Sequence, residues 1–374
     1  MHSHRHAFMN TTTANRSFIG IRAAMAMEFC NFTGSLKEFK KHVPDNEALT
    51  RHETRYYTAD EVRKARQSMG VIGTGKPLAR AALIPDVPCP LMLPIIAVRM
   101  SKGGVGKTTI AANFASTLSL MGHKVLMIDG DAQSSLTALY GIDWSVTPVT
   151  HIGRLMQTAI KSKKVDIESA IIPIYANGML DLIASDITLA EAGSWLTTIP
   201  NREAALNRLF EQNSDFFSRY DCIIIDSAPG TDNLANTIMY AARRVLAPVW
   251  LDGQAIAAIE VLNNNISELN QAFASQGLKI ETHLVANGYH AGYQTCKDSL
   301  ARIVEQFGPV LDDNIIPHAS GFMRQMSLYE LTDSGPILER EPRSVGSRAI
   351  IDLTKSLIRL YGITLPESDQ KALS

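Results

Sequence analysis

The chain contains 374 residues, of which 45% are hydrophobic, and its formal net charge at pH 7 is −1. This size allows at least one large core, and the near-neutral charge does not by itself indicate a nucleic-acid or acidic-membrane partner. Four cysteines, Cys30, Cys89, Cys222 and Cys296, are far apart in the sequence. They argue against a disulfide scaffold or a thiolate metal site and favour a reducing, cytoplasmic location.

The composition along the chain predicts four regions. Residues 1–34 show little periodicity and are predicted to be flexible, and residues 35–90 are predicted to form a small helical amino-terminal module. A glycine- and proline-rich connector places a domain boundary near residue 90. The main domain is predicted over residues 91–364, followed by a tail at 365–374.

Two capping boxes predict the helices of the amino-terminal module. Ser35 is followed by Glu38, and Thr58 is followed by Glu61 in the same spacing. The second of these helices carries three basic side chains, Arg63, Lys64 and Arg66. Basic residues on a helix suggest a module like a helix-turn-helix that binds DNA, and a dimerisation arm is the alternative.

After residue 94 the pattern changes to short apolar runs that alternate with helices. Near-continuous apolar strands indicate burial on both faces, which predicts an α/β fold with a mainly parallel sheet and helices on both faces. The runs are IIAVRM (95–100), KVLMID (124–129), CIIIDS (222–227), RVLAPVW (244–250) and ETHLVAN (281–287).

A glycine-rich loop joins the first of these strands to a predicted helix, and this context is typical of a phosphate-binding P-loop. Glycines let backbone N–H groups converge on phosphate oxygens at the positive end of the helix. Lys107 would bridge the β- and γ-phosphates of ATP, Thr108 would ligate Mg²⁺, and Thr109 would bond the α-phosphate. The remaining loop residues of the predicted site are Gly103, Gly104, Val105 and Gly106.

The loop contains a second lysine, Lys102, and it has Ser101 where the common P-loop pattern has glycine. A lysine at the start of the loop is badly placed to fold back onto the γ-phosphate that Lys107 already contacts. It can instead reach outward to the phosphates of a facing subunit. We therefore predict that Lys102 stabilises transition-state charge in trans, as an arginine finger does.

Carboxylates follow two of the apolar strands. Asp129 and Asp131 end the second strand, and Asp226 closes the strand Ile223–Ile225. The carboxyl ends of parallel strands form the ligand-binding edge of an open α/β sheet. Asp226 is therefore predicted to hold Mg²⁺ through water, in the manner of a Walker B aspartate.

The segments KGGVGKTT, VLMIDGDAQSSLT and YDCIIIDSAPG resemble the ParA/Soj partition ATPases, which have a deviant Walker A motif. The resemblance covers about residues 94–360 and implies a homodimer that sandwiches the nucleotides, with Lys102 reaching the partner's nucleotide. It further implies that Asp131 positions the attacking water and that Asp129 organises the metal shell. Asn287 would read the adenine edge, as in relatives, and a turn-forming asparagine is the alternative.

The same resemblance implies non-specific DNA binding by basic residues near the carboxyl terminus. Phosphate contacts of this kind are independent of sequence and sensitive to salt. The candidates are Arg348, Lys355, Arg359, Arg343 and Arg324. A solvated helix face is the alternative interpretation.

The sequence thus predicts a Mg²⁺-dependent ATPase for DNA partition, cytoplasmic and nucleoid-associated when ATP is bound. Hydrolysis would be slow until a ParB-like adaptor stimulates it, and the amino-terminal module is a candidate for binding operator DNA. The alternative is a MinD-like membrane-associated positioning ATPase, although the ending YGITLPESDQKALS has no sustained apolar face. No apolar run reaches the roughly 18 residues that span a bilayer.

Overall fold

The structure is a computed structural model that describes residues 19–43, 49–51, 54–71, 91–161, 165–325 and 334–365. Most of the predicted connector before residue 91 and nearly all of the predicted tail lie outside these residues.

The amino-terminal region combines helices with a small antiparallel sheet. Its strands pair in the order β1-β3-β2, and its elements are β1 (Ile21–Arg22), α1 (Ala23–Phe29), α2 (Leu36–Phe39), β2 (Leu49–Arg51), β3 (Thr54–Tyr57) and α3 (Ala59–Ser68). Both predicted capping boxes are confirmed, because the hydroxyls of Ser35 and Thr58 each accept a hydrogen bond from the backbone of the glutamate three residues later. Residues 19–34, which were predicted to be flexible, contain β1 and α1, and Phe29 and Cys30 are buried.

The main sheet has eight strands in the order β11-β10-β9-β4-β8-β5-β7-β6 within the described part of the chain. All neighbouring pairs are parallel except β6 with β7. The strands are β4 (Ile95–Val98), β5 (Val125–Gly130), β6 (Ile171–Tyr175), β7 (Leu180–Ile183), β8 (Cys222–Ser227), β9 (Arg244–Trp250), β10 (Glu281–Tyr289) and β11 (Ile316–Pro317). The predicted α/β fold is confirmed.

Helices cover both faces of this sheet, as the alternation in β4 requires. Ile96 and Val98 join the core on one face, while Ile95 and Ala97 join the core on the other. The helices are α4 (Lys107–Leu120), α5 (Ser135–Leu139), α6 (Ile152–Lys161), α7 (Glu191–Leu196), α8 (Ala205–Gln212), α9 (Ser214–Phe217), α10 (Asn233–Ala242), α11 (Ala255–Ala272), α12 (Gln294–Phe307), α13 (Ser320–Arg324), α14 (Ile337–Arg340) and α15 (Val345–Tyr361).

The amino-terminal region packs against the main domain through the basic side chains of α3. The Arg63 guanidinium pairs with Asp221, which directly precedes β8, and donates a 3.0 Å bond to the carbonyl of Gly122. The Arg66 guanidinium is fully buried and donates to the carbonyl of Met121 at 2.5 Å. These two arginines therefore fix the amino-terminal region to the end of α4.

This packing limits what the basic side chains of the amino-terminal helix can contact, and DNA binding by this region stays a prediction. Of its three basic side chains, Arg63 and Arg66 are buried, and Lys64 forms a 2.7 Å ion pair with Asp60 one turn earlier. A phosphate could not reach the two buried guanidinium groups without separating the region from the main domain. The helix exists as predicted, but two of its three basic residues, Arg63 and Arg66, contact the main domain.

Candidate nucleotide site and basic surface

The glycine-rich loop joins β4 to α4 and has the backbone conformation that only glycine adopts easily. Gly106 caps α4 with a φ of 90°, in the left-handed region. A Cβ at Gly106 would lie 2.4 Å from Nδ2 of Asn287. That same Nδ2 donates a 2.8 Å hydrogen bond to the carbonyl of Val105. The loop is thus closed against β10, and its open side lies at the amino terminus of α4.

The two lysines of the loop point in different directions. Lys107 is only 8% exposed, and its ammonium donates a 3.2 Å bond to the backbone carbonyl of Lys102. Burial lowers the pKa of Lys107 from its ordinary value. The Lys102 ammonium instead forms a 2.6 Å ion pair with Asp252, just after β9, and both side chains are about one-third exposed. Only Lys107 lies inside the loop.

Asp129 and Asp226 are direct neighbours in the register of β5 and β8. Asp129 is fully buried, and one of its oxygens accepts bonds from both the backbone N–H and the hydroxyl of Thr137, at 2.9 and 2.7 Å. Burial raises the pKa of Asp129 to about 6, against the effect of these hydrogen bonds. Asp129 is therefore held in one orientation by α5.

Asp226 contrasts with its neighbour. Both of its carboxylate oxygens are buried, and neither has a hydrogen-bond partner among the described residues. Burial raises the pKa of Asp226 well above its ordinary value, and the charge of Asp129 adds to this effect. The Thr108 hydroxyl and the Lys107 ammonium act in the opposite direction.

An unpartnered buried carboxylate next to a threonine hydroxyl fits a hard cation. Mg²⁺ is usually bound by one or two protein oxygens together with phosphates and water. In keeping with this sparse donor set, the described residues contain no group of three or more His, Cys, Asp or Glu side chains that could hold a metal ion. Thr108 and Asp226 are thus suited to Mg²⁺ that arrives with a nucleotide.

Asp131 lies at the edge of the same group, one residue after β5. It is partly exposed, and one of its oxygens accepts a 2.9 Å bond from the backbone N–H of Gln133. The negative charge of Asp131 contributes to the pKa shifts of Asp226 and Lys107. The structure therefore places a partly exposed carboxylate, that of Asp131, one residue after β5.

A small cavity of about 250 Å³ lies beside the Lys102–Asp252 pair, and it was missed in the sequence. The rings of His290 and Tyr293 stack at its wall with centroids 4.1 Å apart. The wall is built by residues at and beyond the carboxyl ends of neighbouring strands, Trp250, Leu251, Asp252, Gly288, His290, Tyr293, Thr295, Cys296 and His318. Aromatic residues near the strand ends were the signal in the sequence. A flat apolar group could stack on the outer face of such a ring pair.

The predicted basic surface of α15 is partly covered by the amino-terminal region. Arg348 and Lys355 both pair with Glu28 of α1, at 2.9 and 2.6 Å. Arg348 also pairs with Asp352 on its own helix at 2.9 Å. Any DNA phosphate at this face would have to displace Glu28.

The other predicted DNA contacts are scattered. Arg343 is exposed, and Arg359 is partly buried, with its Nε enclosed and without a hydrogen-bond partner among the described residues. Arg324 pairs with Glu341 at 2.9 Å and is 59% exposed. The structure thus groups Arg348 with Lys355 and does not join all five residues into one open patch.

Comparisons with known proteins place this fold in a family. The family described as AAA domain matches residues 93–280. The sporulation initiation inhibitor protein Soj of Bacillus subtilis is 28% identical over 267 residues, which cover 70% of this chain and 97% of Soj.

Solved structures show the same fold. A plasmid partition protein from Borrelia burgdorferi B31, bound to AMPPNP, aligns with a TM-score of 0.54 and 23% identity over 72% of this chain and 99% of its own. The cobyrinic acid a,c-diamide synthase from Mycobacterium smegmatis, with a bound ATP analogue and magnesium, aligns with a TM-score of 0.57 and 23% identity over 72% and 96%.

No helix in the described ranges is long and apolar enough to cross a membrane.

Four observations indicate the same family: the P-loop with two lysines, the strand-end carboxylates, the matched family model and the similarity to Soj. The chain belongs to the ParA/Soj-type family of P-loop partition ATPases with a deviant Walker A motif, as a larger form with an amino-terminal extension.

Proposed function

We propose that this protein is a Mg²⁺-dependent ATPase that acts as a DNA partition switch. ATP binding would join two chains around their nucleotides, the dimer would bind non-specific DNA, and hydrolysis would release it. The observation that carries this proposal is the direction of Lys102. Its ammonium leaves the loop toward a partly exposed surface, whereas Lys107 alone lies inside the phosphate cradle.

Each residue of the site would have its own role in binding the nucleotide and Mg²⁺. Backbone N–H groups at Gly103–Gly106 and the amino terminus of α4 would hold the phosphates, with Lys107 on the β- and γ-phosphates and Thr109 on the α-phosphate. Thr108 and Asp226 would hold Mg²⁺, and Asp129 would organise its water shell. Mg²⁺ would neutralise charge that develops on the phosphate oxygens during transfer.

Water activation falls to Asp131, because it is the partly exposed carboxylate at the P-loop. Such a carboxylate is a weak base, so unassisted hydrolysis should be slow and a ParB-like adaptor would accelerate it. The base of the nucleotide would enter the cavity with the stacked His290 and Tyr293 rings. Asn287 already donates to the P-loop backbone, so it would support that loop while its amide faces the base.

The DNA surface would include Arg348 and Lys355, with Arg343, Arg359 and Arg324 at its margins. These side chains support the proposal by lying near one helix, α15, and in the cell such binding would place the ATP-bound protein on the nucleoid. Binding by phosphate contacts should weaken steeply with salt.

The test is binding to random-sequence duplex DNA with ATP, ADP or no nucleotide. We expect ATP alone to give salt-sensitive binding, Lys102→Ala to abolish it and Asp131→Ala to prolong it. Absence of DNA binding in every nucleotide state would reject the partition role. In that case ATP-dependent binding to anionic lipid vesicles would favour the MinD-like alternative.

A further inference from the structure

Arg99 is a buried arginine at the root of the P-loop. It directly follows the last residue of β4 and precedes Met100 and Ser101. Its backbone N–H donates a 2.9 Å bond to Leu246 of β9, and its side chain has no solvent-exposed surface. A fully buried guanidinium is expensive and persists only where its donors are used.

The guanidinium of Arg99 forms most of its hydrogen bonds with the loop that follows β8. It donates to the carbonyl of Ala228 at 3.2 Å and to the carbonyl of Gly230. This loop follows Ser227, the last residue of β8, and ends where Asp232 caps α10 by accepting a 2.8 Å bond from the backbone of Ala235. Arg99 thus holds the loop that begins two residues after Asp226, the unpartnered carboxylate of the site.

A second contact extends the same network to two helices. The Arg99 guanidinium lies 3.5 Å from Oδ1 of Asn265 on α11, and the amide of Asn265 donates to Asn236 on α10 at 3.2 Å. One side chain therefore connects the P-loop strand with the loop after β8 and with the helices on one face of the sheet.

The positive charge of Arg99 is not paired directly with a carboxylate among the described residues. Within the described ranges it forms no ion pair, and the opposing charge nearest in effect is that of Asp232. Burial lowers its pKa to about 10, so the group stays cationic at neutral pH. Its charge also contributes to the lowered pKa of Lys107, after the larger effect of burial.

We propose that Arg99 is a positioning residue for hydrolysis: by holding residues 228–230, it keeps Asp226 aimed at the nucleotide end of the P-loop. This inference rests on the proposed ATPase function. It differs from a purely structural role because the contacts are concentrated on one short loop between a metal ligand and a helix cap. Loss of Arg99 should therefore affect the chemical step more than nucleotide affinity.

The experiment compares Arg99→Met and Arg99→Lys with Arg66→Met in the full chain. Arg66 is a matched control because it is equally buried, also donates to a backbone carbonyl and has its pKa lowered to about 10, but it lies in the amino-terminal interface. The readouts are kcat and KM for Mg·ATP, melting temperature, and hydrogen exchange of the amides at 227–232 without nucleotide. Arg99→Lys keeps the charge and serves if the methionine variant does not fold.

We expect Arg99→Met to lower kcat on the order of 10- to 100-fold with KM changed by less than about threefold, since small misplacements have effects of this size. Exchange at 227–232 should accelerate in both Arg99 variants and stay unchanged in Arg66→Met. The inference is overturned if kcat falls no more than in Arg66→Met, or if exchange of the loop is unaltered. A wild-type protein without ATPase activity would reject the proposed function, and loop exchange would still test the contact itself.

Discussion

Asp226→Asn should stabilise the nucleotide-free protein while it removes Mg²⁺ binding. The wild-type carboxylate is buried, lies beside Asp129 and has no hydrogen-bond partner among the described residues. A buried charged group left without partners costs about 1–3 kcal/mol or more. Because the asparagine amide is buried as well, we expect to recover about 1 kcal/mol, which raises the melting temperature by about 1–2 °C in a chain of this size.

The matched control is Asp312→Asn, which should lower the stability of the protein instead of raising it. Asp312 is as buried as Asp226, but its oxygens accept hydrogen bonds from His283 and Ser356, both at 2.8 Å. Although burial raises its pKa, the bonds from His283 and the backbone of Asn314 bring the pKa below its ordinary value. The amide cannot replace all these acceptors, so the variant should lose about 1–3 kcal/mol.

The pH dependence of stability tests whether the buried carboxyl group of Asp226 causes this effect. Burial raises the pKa of Asp226 well above 3.8, so the folded protein keeps a proton that the unfolded chain has released. Stability from this proton is present below about pH 4 and is lost as the pH rises. The advantage of Asp226→Asn in thermal melts should therefore be larger at about pH 8 than at about pH 5.

The stabilisation of the folded protein by Mg·ATP gives a further test. Mg·ATP at about 100 times its Kd should stabilise the wild type by about 2.7 kcal/mol, and the part that depends on Mg²⁺ should vanish in Asp226→Asn. The reasoning is refuted if this variant melts below the wild type, if its advantage shrinks with rising pH, or if Mg²⁺ stabilises both proteins equally.

Two further substitutions test the amino-terminal region. Glu28→Gln frees Lys355 from its ion pair and leaves Arg348 paired only with Asp352 on its own helix. Non-specific DNA binding should therefore tighten, and its log–log salt slope should steepen by up to about 2 if both cations then contact phosphate; an unchanged salt titration would contradict this. Arg63→Gln breaks the buried pair with Asp221 and should cost about 3–5 kcal/mol at this interface, seen as faster proteolysis in residues 19–71. Equal cleavage rates in variant and wild type would show that the pair does not hold the region.

The nucleotide site was the most predictable part of the molecule because its signals are local. The P-loop glycines, Lys107 and Thr108 are contiguous in the sequence, and their backbone conformation follows from residue type. Asp226 could be located because it ends a strand of unbroken apolar residues. The carboxyl ends of parallel strands meet at one edge, so adjacency of Asp129 and Asp226 followed from topology.

Strands β6, β7 and β11 were not predicted, for different physical reasons. Pro173 interrupts β6, which is an edge strand where proline is tolerated, and β11 has only two residues. β7 contains Asp181, which breaks the apolar run although its carboxylate is buried and accepts a 2.7 Å bond from Tyr220. That partner is 39 residues away, beyond the reach of a local pattern.

Partners that are distant in the sequence also explain why the burial of the arginines of α3 was not predicted. A cluster of basic residues on a helix usually marks a solvated or anion-binding face, and nothing near Arg63 indicates that Asp221 lies 158 positions later. Arg99 was overlooked for the same reason, since its carbonyl partners come from residues about 130 positions further along the chain. An arginine next to four buried strand residues was nevertheless a usable signal, because such a position must find partners inside the protein.

The two lysines of the loop can now be distinguished by what holds each of them. The Lys107 ammonium is buried and bonded to the carbonyl of Lys102, so a phosphate entering the cradle meets a cation already in place. The pair between Lys102 and Asp252 is about one-third exposed, and pairs of this kind are worth only about 0–1 kcal/mol. A phosphate from a facing chain forms stronger charge-assisted bonds than such a pair. Asp252 therefore keeps Lys102 extended at the surface but binds it weakly enough for a second nucleotide to take it over.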